Sequence, residues 1–164
     1  MLSEEPFCLV LAESIRRKEG SLVVLVLLEP PGLAARASIP TSGLAFKRFE
    51  AAALASRTDW IYAGLLADDC MGLLFASAPP SLEVDVQASA SRFGFADPFG
   101  VAGEIALKIQ TLVIDLSAYE SLAGAMAEAA RRVSEVVGRN PRFAGRPREW
   151  CSQVQLSTHR RSNS

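Results

Sequence analysis

The sequence predicts one α+β domain, a βαββαβ-type sandwich in which helices pack on an antiparallel-containing sheet, with an extra helix at the N-terminus. Short runs rich in valine and leucine predict strands, and they alternate with segments whose apolar residues recur at helical spacing. Two predicted strands are separated only by a short turn, which indicates a hairpin. The apolar fraction of 49% and the charged fraction of 21% are typical of a globular protein. A hairpin and crossover helices on one sheet give the predicted fold class.

The first elements have recognisable ends. Ser3 is a candidate N-cap for a helix with two glutamates in its first turn, and Gly20 ends that helix. The run SLVVLVLLE, residues 21–29, is short, continuous and apolar and stops at two prolines, so it predicts a central strand. A second helix is expected over 44–56, opened by a threonine or a serine.

The middle of the chain contains the hairpin and one ambiguous segment. WIYAGLL (60–66) and CMGLLFA (70–76) are its two strands, and the turn between them contains Asp68 and Asp69. Residues 82–92 fit both the alternation of a strand and the spacing of a helix. A serine after two prolines is a plausible N-cap and favours the helix.

The last two elements are a strand and the clearest helix. Alternating apolar residues predict a strand over 105–116. Ser117 and Glu120 form a capping box for the final amphipathic helix, which a glycine ends. We therefore assign residues 1–138 to the domain and 139–164 to a basic, mobile C-terminal tail.

Charge is divided unevenly between domain and tail. Residues 1–138 carry a net charge of −6, whereas the tail carries +5. Because few aromatic side chains lie among its arginines, we interpret the tail as a solvated or partner-docking segment and expect no nucleic-acid partner. His159 is the only histidine, which excludes a multi-histidine metal site and argues against a histidine-dependent triad. We expect no cofactor.

The sequence also predicts the compartment. The N-terminal residues carry acids where a signal peptide carries basic residues, and no apolar run approaches the roughly 20 residues of a membrane-spanning helix. The three cysteines have no metal-ligand spacing and are expected to be reduced thiols. These features predict a cytoplasmic protein without a transmembrane segment.

Several features together resemble one known family. The first strand ends in Glu29, the hairpin segment reads TDWIYAGLLADDCMGLLF, and a late strand and final helix lead into Gly138-Arg139-Asn140. This order is similar to that of the GGDEF domain, the bacterial module that in its active form makes cyclic di-GMP from two GTP molecules. The resemblance covers roughly residues 4–142 and lies mostly in element order and apolar pattern.

The resemblance implies a metal site at the hairpin. In the family, carboxylates from two strands hold the divalent metal that assists phosphoryl chemistry, so it implies Glu29 with Asp69 or Asp68 as ligands. The residues by themselves favour another interpretation. Two aspartates between apolar strands make a good exposed turn, because aspartate hydrogen-bonds its own backbone.

The chain departs from the family where nucleotide would bind. The family's two glycines let the backbone approach the nucleotide closely, whereas Leu66 and Ala67 stand here and are expected to fill that space. The family's guanine-reading Asn and Asp are absent from EPPGLAARASIPTSG, and Pro30 and Pro31 remove two backbone donors. We therefore expect no catalytic residues and no cyclase activity.

Arg57 and Asp59 are the candidate ligand-binding residues. Many GGDEF domains carry Arg-x-x-Asp near this position, an inhibitory site that binds cyclic di-GMP. Here the spacing is Arg-x-Asp, with Trp60 where the family's Asp would fall. A guanidinium pairs with phosphate or guanine acceptors, and a carboxylate accepts from guanine N–H groups. The alternative is structural, an arginine at a helix end and an aspartate opening the next strand.

These observations predict a catalytically inactive, GGDEF-like regulatory domain that senses cyclic di-GMP or binds a protein partner. The alternative is a small cytoplasmic adaptor or chaperone that docks another protein through an exposed sheet face. A third and less favoured function is an active nucleotidyl cyclase that uses Glu29 and Asp69.

Overall fold

The computed structural model describes residues 1–28, 39–67, 70–96, 104–105 and 107–137. The helices are α1 (Glu4–Arg16), α2 (Ile39–Ser56), α3 (Leu82–Arg92) and α4 (Leu122–Val137). The strands are β1 (Ser21–Leu28), β2 (Tyr62–Ala67), β3 (Cys70–Phe75), β4 (Phe95–Ala96), β5 (Glu104–Ile105) and β6 (Lys108–Asp115). Four of these strands form one sheet in the order β2-β3-β1-β6, and β4 pairs with β5 in a separate ladder.

Every pairing in the four-stranded sheet is antiparallel. β1 is central and lies between β3 and β6, while β2 extends the sheet beyond β3. The α+β sandwich, the β2–β3 hairpin and the extra N-terminal helix predicted from the sequence are therefore confirmed.

The sheet carries helices on both faces because alternate residues of β1 enter two different cores. Val24 belongs to the core beneath α1 and α4, whereas Val23 and Leu25 belong to the core beneath α2 and α3. All three side chains are completely buried. A strand buried on both faces is continuously apolar, which agrees with the central strand predicted from the run.

A glycine pair allows α1 to lie close to the hairpin. Gly64 of β2 and Gly72 of β3 are cross-strand partners. A Cβ on Gly64 would lie 2.2 Å from Phe7 Cγ, and one on Gly72 would lie 2.4 Å from Phe7 Cε1. The Phe7 ring thus occupies the space that side chains would take, and only glycine permits this approach.

The N-terminus covers part of the edge of β2. Leu2 N–H donates to the Ala63 carbonyl at 2.8 Å, and Leu65 N–H donates to the Leu2 carbonyl at 3.0 Å. These bonds form a parallel bridge between Leu2 and Gly64. They satisfy backbone groups that an edge strand would otherwise leave open to pairing with another chain.

Several boundaries differ from the predictions. α2 begins at Ile39 rather than at residue 44, because Pro40 fits the first turn of a helix, where its missing N–H is not needed. The ambiguous segment is the helix α3, whose Leu82, Val86 and Ala90 are buried. The strand expected over 105–116 is interrupted, since β5 ends at Ile105 and β6 begins at Lys108.

The capping box predicted at Ser117 is wrong. Residues 116–118 form a 3-10 turn in which the Ser117 N–H and hydroxyl both donate to Asp115 Oδ1, at 3.1 Å and 2.7 Å. α4 begins at Leu122, and the hydroxyl oxygen of Ser121 accepts from Gly124 N–H at 3.1 Å. Ser121 is therefore the N-cap, because its oxygen satisfies the N3 donor.

Ser121→Ala is expected to lower the free energy of unfolding by about 1 kcal/mol, the usual cost of losing an N-cap oxygen. Ser117→Ala is the matched control, since it removes a hydroxyl that lies outside α4. Urea unfolding followed by circular dichroism measures both. A larger loss of unfolding free energy in the Ser117 variant would contradict the assignment of Ser121 as the N-cap of α4.

One cysteine differs from the sequence prediction. Cys8 and Cys70 are both completely buried. Cys8 is disulfide-bonded, so the expectation of three reduced thiols is wrong at this position. The thiols therefore give no support to a cytoplasmic location.

Two further predictions concern the membrane and the tail. Among the described residues, none of the helices combines the length and apolar character that crossing a bilayer requires. The predicted tail, residues 139–164, lies outside the described residues.

Candidate ligand-binding site

The predicted pair Arg57 and Asp59 lies at the junction between α2 and β2. Arg57 is the first residue after α2. The Ser56 hydroxyl donates to the Ala53 carbonyl at 2.7 Å within the last helical turn. Trp60 Nε1 donates to the Leu54 carbonyl at 3.3 Å, which ties the connecting segment to the end of the helix. The pair therefore lies on a short segment whose two ends are held to α2 by hydrogen bonds.

The structure brings the two predicted residues into direct contact. Arg57 Nε donates to Asp59 Oδ1 at 2.7 Å, and Nη2 donates to Oδ2 at 2.9 Å. This is the two-pronged pairing of guanidinium and carboxylate, which fixes orientation as well as distance. Arg57 and Asp59 are thus each other's partners in the described structure.

Asp85 of α3 and Ser81, which directly precedes α3, complete the site and were not predicted from the sequence. Arg57 Nη1 donates to Asp85 Oδ2 at 2.7 Å and to Ser81 Oγ at 3.1 Å. The Ser81 hydroxyl in turn donates to Asp85 Oδ2 at 2.9 Å. The only sequence signal was the Ser-x-x-x-Asp spacing at the start of α3, which places both side chains on one side of the helix. We call these four residues, Arg57, Asp59, Ser81 and Asp85, the Arg57 cluster.

Hydrogen bonds from Arg57 dominate the electrostatics of the cluster. They hold the pKa of the Asp59 carboxyl below its usual value. They do the same to the pKa of Asp85, with a further contribution from Ser81. The two carboxylates raise the pKa of Arg57, with Asp59 as the larger cause. All three groups are therefore charged at neutral pH, and the cluster carries one net negative charge.

The cluster is open to solvent. The exposed fractions of the side chains are 27% for Arg57, 50% for Asp59 and 31% for Asp85. Solvent screening weakens ion pairs at this degree of exposure, so they contribute little to folding stability. The same exposure leaves the cluster accessible to a dissolved ligand.

A buried hydrogen bond fixes the two helices that carry the cluster. Ser89 of α3 is 1% exposed, and its hydroxyl donates to the Ala52 carbonyl of α2 at 2.7 Å. Phe49 of α2 is completely buried in the core shared with α3. Because side chains in a close-packed core have little freedom, the relative position of Arg57 and Asp85 is set by this packing.

The predicted metal ligands Glu29, Asp68 and Asp69 all lie outside the described residues. Their chain neighbours are close, because Val26 of β1 is paired with Cys70 of β3. The C-terminal part of β1 and the start of β3 therefore lie at the same end of the sheet. No group of three metal-ligating side chains occurs within the part of the chain that the structure describes. The metal site stays a prediction.

The Leu66 side chain was expected to occupy the space of a bound nucleotide, but it points into the core. Its side chain is 1% exposed and belongs to the core beneath α1 and α4. The expectation that this side chain fills the space of a nucleotide is therefore wrong, since its bulk lies inside the domain. Of Ala67, the other residue in that expectation, only the backbone at the end of β2 is described.

Comparison with solved structures identifies similar domains. The GGDEF domain of FimX from Pseudomonas aeruginosa matches with a TM-score of 0.60 and 14% identity, over 84% of this chain and 88% of that chain. The GGDEF domain of DgcB from Caulobacter crescentus, in complex with c-di-GMP, matches with a TM-score of 0.61 and 14% identity, over 83% and 84%. The GGDEF domain of the PA2567 protein from Pseudomonas aeruginosa matches with a TM-score of 0.53 and 12% identity, over 83% and 90%.

These likenesses show that the chain has a GGDEF-like fold, as its order of elements suggested. No family model and no curated protein matches the sequence. Since one fold hosts many functions, activity and ligand must be argued from the residues of the site.

Proposed function

We propose that this chain, which has a GGDEF-like fold, is a regulatory domain without cyclase activity that binds cyclic di-GMP at the Arg57 cluster. We include a cytoplasmic location in the proposal, because a receptor for a nucleotide made from GTP must share a compartment with that nucleotide.

The contact between Arg57 and Asp59 is the observation that carries the proposal. It places a planar cation beside a carboxylate on a solvent-accessible segment. A cyclic dinucleotide offers phosphate oxygens to the first group and guanine N–H donors to the second. The GGDEF neighbour DgcB was crystallised in complex with c-di-GMP, which supports the choice of ligand.

The absence of cyclase activity rests on the sequence of the nucleotide-binding segments. The segment EPPGLAARASIPTSG lacks the guanine-reading Asn and Asp that resemblance to the family would require. Pro30 and Pro31 lack the backbone donors that could cradle a phosphate after β1. Incubation with GTP and Mg²⁺ or Mn²⁺ is expected to give no cyclic di-GMP, and product formation would contradict this part of the proposal.

A protein partner is the second candidate. Ile61 and Tyr62 have exposed fractions of 53% and 44% and lie two and three positions after Asp59. These two neighbouring apolar side chains at the start of an edge strand offer a small surface that another protein could cover. Co-purification of a partner, together with no response to any nucleotide, would support this function instead.

Titration calorimetry with cyclic di-GMP tests the proposal. The unmodified chain is expected to bind, and Arg57→Ala is expected to weaken binding at least about tenfold, because a charge-assisted partner of the phosphate is lost. Arg92→Ala is the matched control, since it removes an equal charge from the last turn of α3, outside the Arg57 cluster. It should leave the affinity unchanged.

A thermal shift gives an independent measurement. Ligand at about 100 times its Kd adds about 2.7 kcal/mol to the free energy of unfolding of a protein that binds it only when folded. The shift should be present in the unmodified chain and the Arg92 variant and reduced in the Arg57 variant. No heat and no shift at high micromolar ligand would overturn the proposal.

A further inference from the structure

Arg57 already gives most of its hydrogen-bond donors to the protein. A guanidinium has five N–H bonds, one on Nε and two on each terminal nitrogen. Nε–H and one Nη2–H go to Asp59, and the two Nη1–H bonds go to Asp85 and Ser81. These four bonds leave one Nη2–H outside the cluster.

The way these donors are used limits how an anion can approach. Two-pronged pairing with a phosphate needs two N–H bonds on one edge of the guanidinium. Asp59 holds the edge formed by Nε and Nη2. The other edge is formed by Nη1 and Nη2, and Nη1 already donates to Asp85 and Ser81. A phosphate can take this edge only when Asp85 or Ser81 gives up its bond.

We propose that Asp85 is an internal competitor for Arg57, which holds the site closed to anionic ligands until its carboxylate is displaced. This inference rests on the proposed function and concerns the regulation of the same site. Asp85 accepts from Nη1, one of the two nitrogens that form the remaining edge, and its negative charge also repels a ligand phosphate. Asp59 differs in its role, because its carboxylate is the acceptor proposed for the guanine N–H donors.

The geometry favours competition over simple support of the fold. Asp85 lies 28 positions after Arg57 in the chain. The contact therefore covers one side of the Arg57 guanidinium with a side chain from α3. The Asp85 side chain is 31% exposed, so its carboxylate can turn into water when displaced. Ser81 steadies the closed arrangement by donating to the same Asp85 oxygen that accepts from Arg57.

Calorimetry with cyclic di-GMP on the full chain and two variants tests the inference. Asp85→Asn removes the competing charge and is expected to tighten binding about two- to fivefold, the range that corresponds to one exposed ion pair. Glu83→Gln is the matched control, because it removes an equal charge from the same helical turn without removing a member of the Arg57 cluster. Its affinity should equal that of the unmodified chain.

The outcomes separate this inference from the function on which it rests. Tighter binding by the Asp85 variant alone supports the competitor. Equal tightening in the Glu83 variant would show a general effect of charge and overturn it. Unchanged or weaker binding by the Asp85 variant, with binding by the unmodified chain intact, would overturn the competitor and leave the proposed function standing. No binding by any of the three proteins would overturn both.

Discussion

Gly64→Ala is expected to lower the free energy of unfolding by about 3 kcal/mol, at the upper end of the usual cost of overpacking. The added Cβ would lie 2.2 Å from Cγ and 2.5 Å from Cβ of Phe7. Phe7 Cβ and Cγ lie next to the backbone of α1, so they can move away only if α1 itself shifts. Chemical denaturation with a probe of tertiary structure measures the loss.

Gly72→Ala is the matched comparison, because its added Cβ meets the far end of the same ring, at Cε1 and Cζ. A rotation of the ring relieves part of that overlap, so a smaller loss is expected. A greater cost at Gly72 would contradict the proposed packing of Phe7.

A double-mutant cycle isolates the contact between α1 and the hairpin. Phe7→Ala alone is expected to cost about 3–5 kcal/mol, because a completely buried ring leaves a cavity. In that background the Gly64 substitution no longer meets the ring and should cost far less than in the unmodified chain. Contacting residues show coupling of about 0.5–3 kcal/mol, so strict additivity would rule out the contact.

Phe49→Ala is expected to have the second large effect, a loss of about 3–5 kcal/mol. Phe49 is completely buried in the core beneath α2 and α3. Its removal leaves a cavity under α2, the helix that directly precedes Arg57. Thermal and urea unfolding measure the loss, and each kcal/mol is expected to lower Tm by about 2–4 °C for a protein of this size.

Phe46→Ala is the control for this prediction. The Phe46 ring is only partly buried and lies edge-on to Phe49, with ring centroids 5.9 Å apart. Its removal forfeits the aromatic pair, worth about 0.5–1.5 kcal/mol beyond area burial, but opens no closed cavity. A cost equal to that of the Phe49 substitution would show that the core beneath α2 is packed differently.

The sequence alone determined the fold class because local patterns carried it. The continuous apolar run of residues 21–29 predicted a central strand, and β1 lies in the interior of the sheet between β3 and β6. The helix α3 was favoured by the prolines and serine before it, and the hairpin by two apolar runs around a short turn. Each signal lies within a few residues, so no knowledge of distant contacts was needed.

The sequence predicted the N-termini of helices less accurately, because more than one polar residue near a helix start can act as its N-cap. The Ser117 and Glu120 spacing matched a capping box, yet Asp115 captures Ser117 and leaves Ser121 to cap α4. Which polar side chain accepts from which backbone N–H is decided by the path of the chain after β6. The local sequence pattern does not predict that path.

The sequence found half of the Arg57 cluster, and the tertiary structure supplied the rest. Arg57 and Asp59 are two positions apart, so their contact was accessible to a local interpretation. Asp85 is separated from Arg57 by the whole β2–β3 hairpin and reaches it only because α2 and α3 pack side by side. Likewise, two glycines in a hairpin became meaningful only when α1 placed Phe7 over them. Composition and the spacing of apolar residues determine which helices and strands form. Burial of their apolar faces then decides which side chains distant in sequence come into contact.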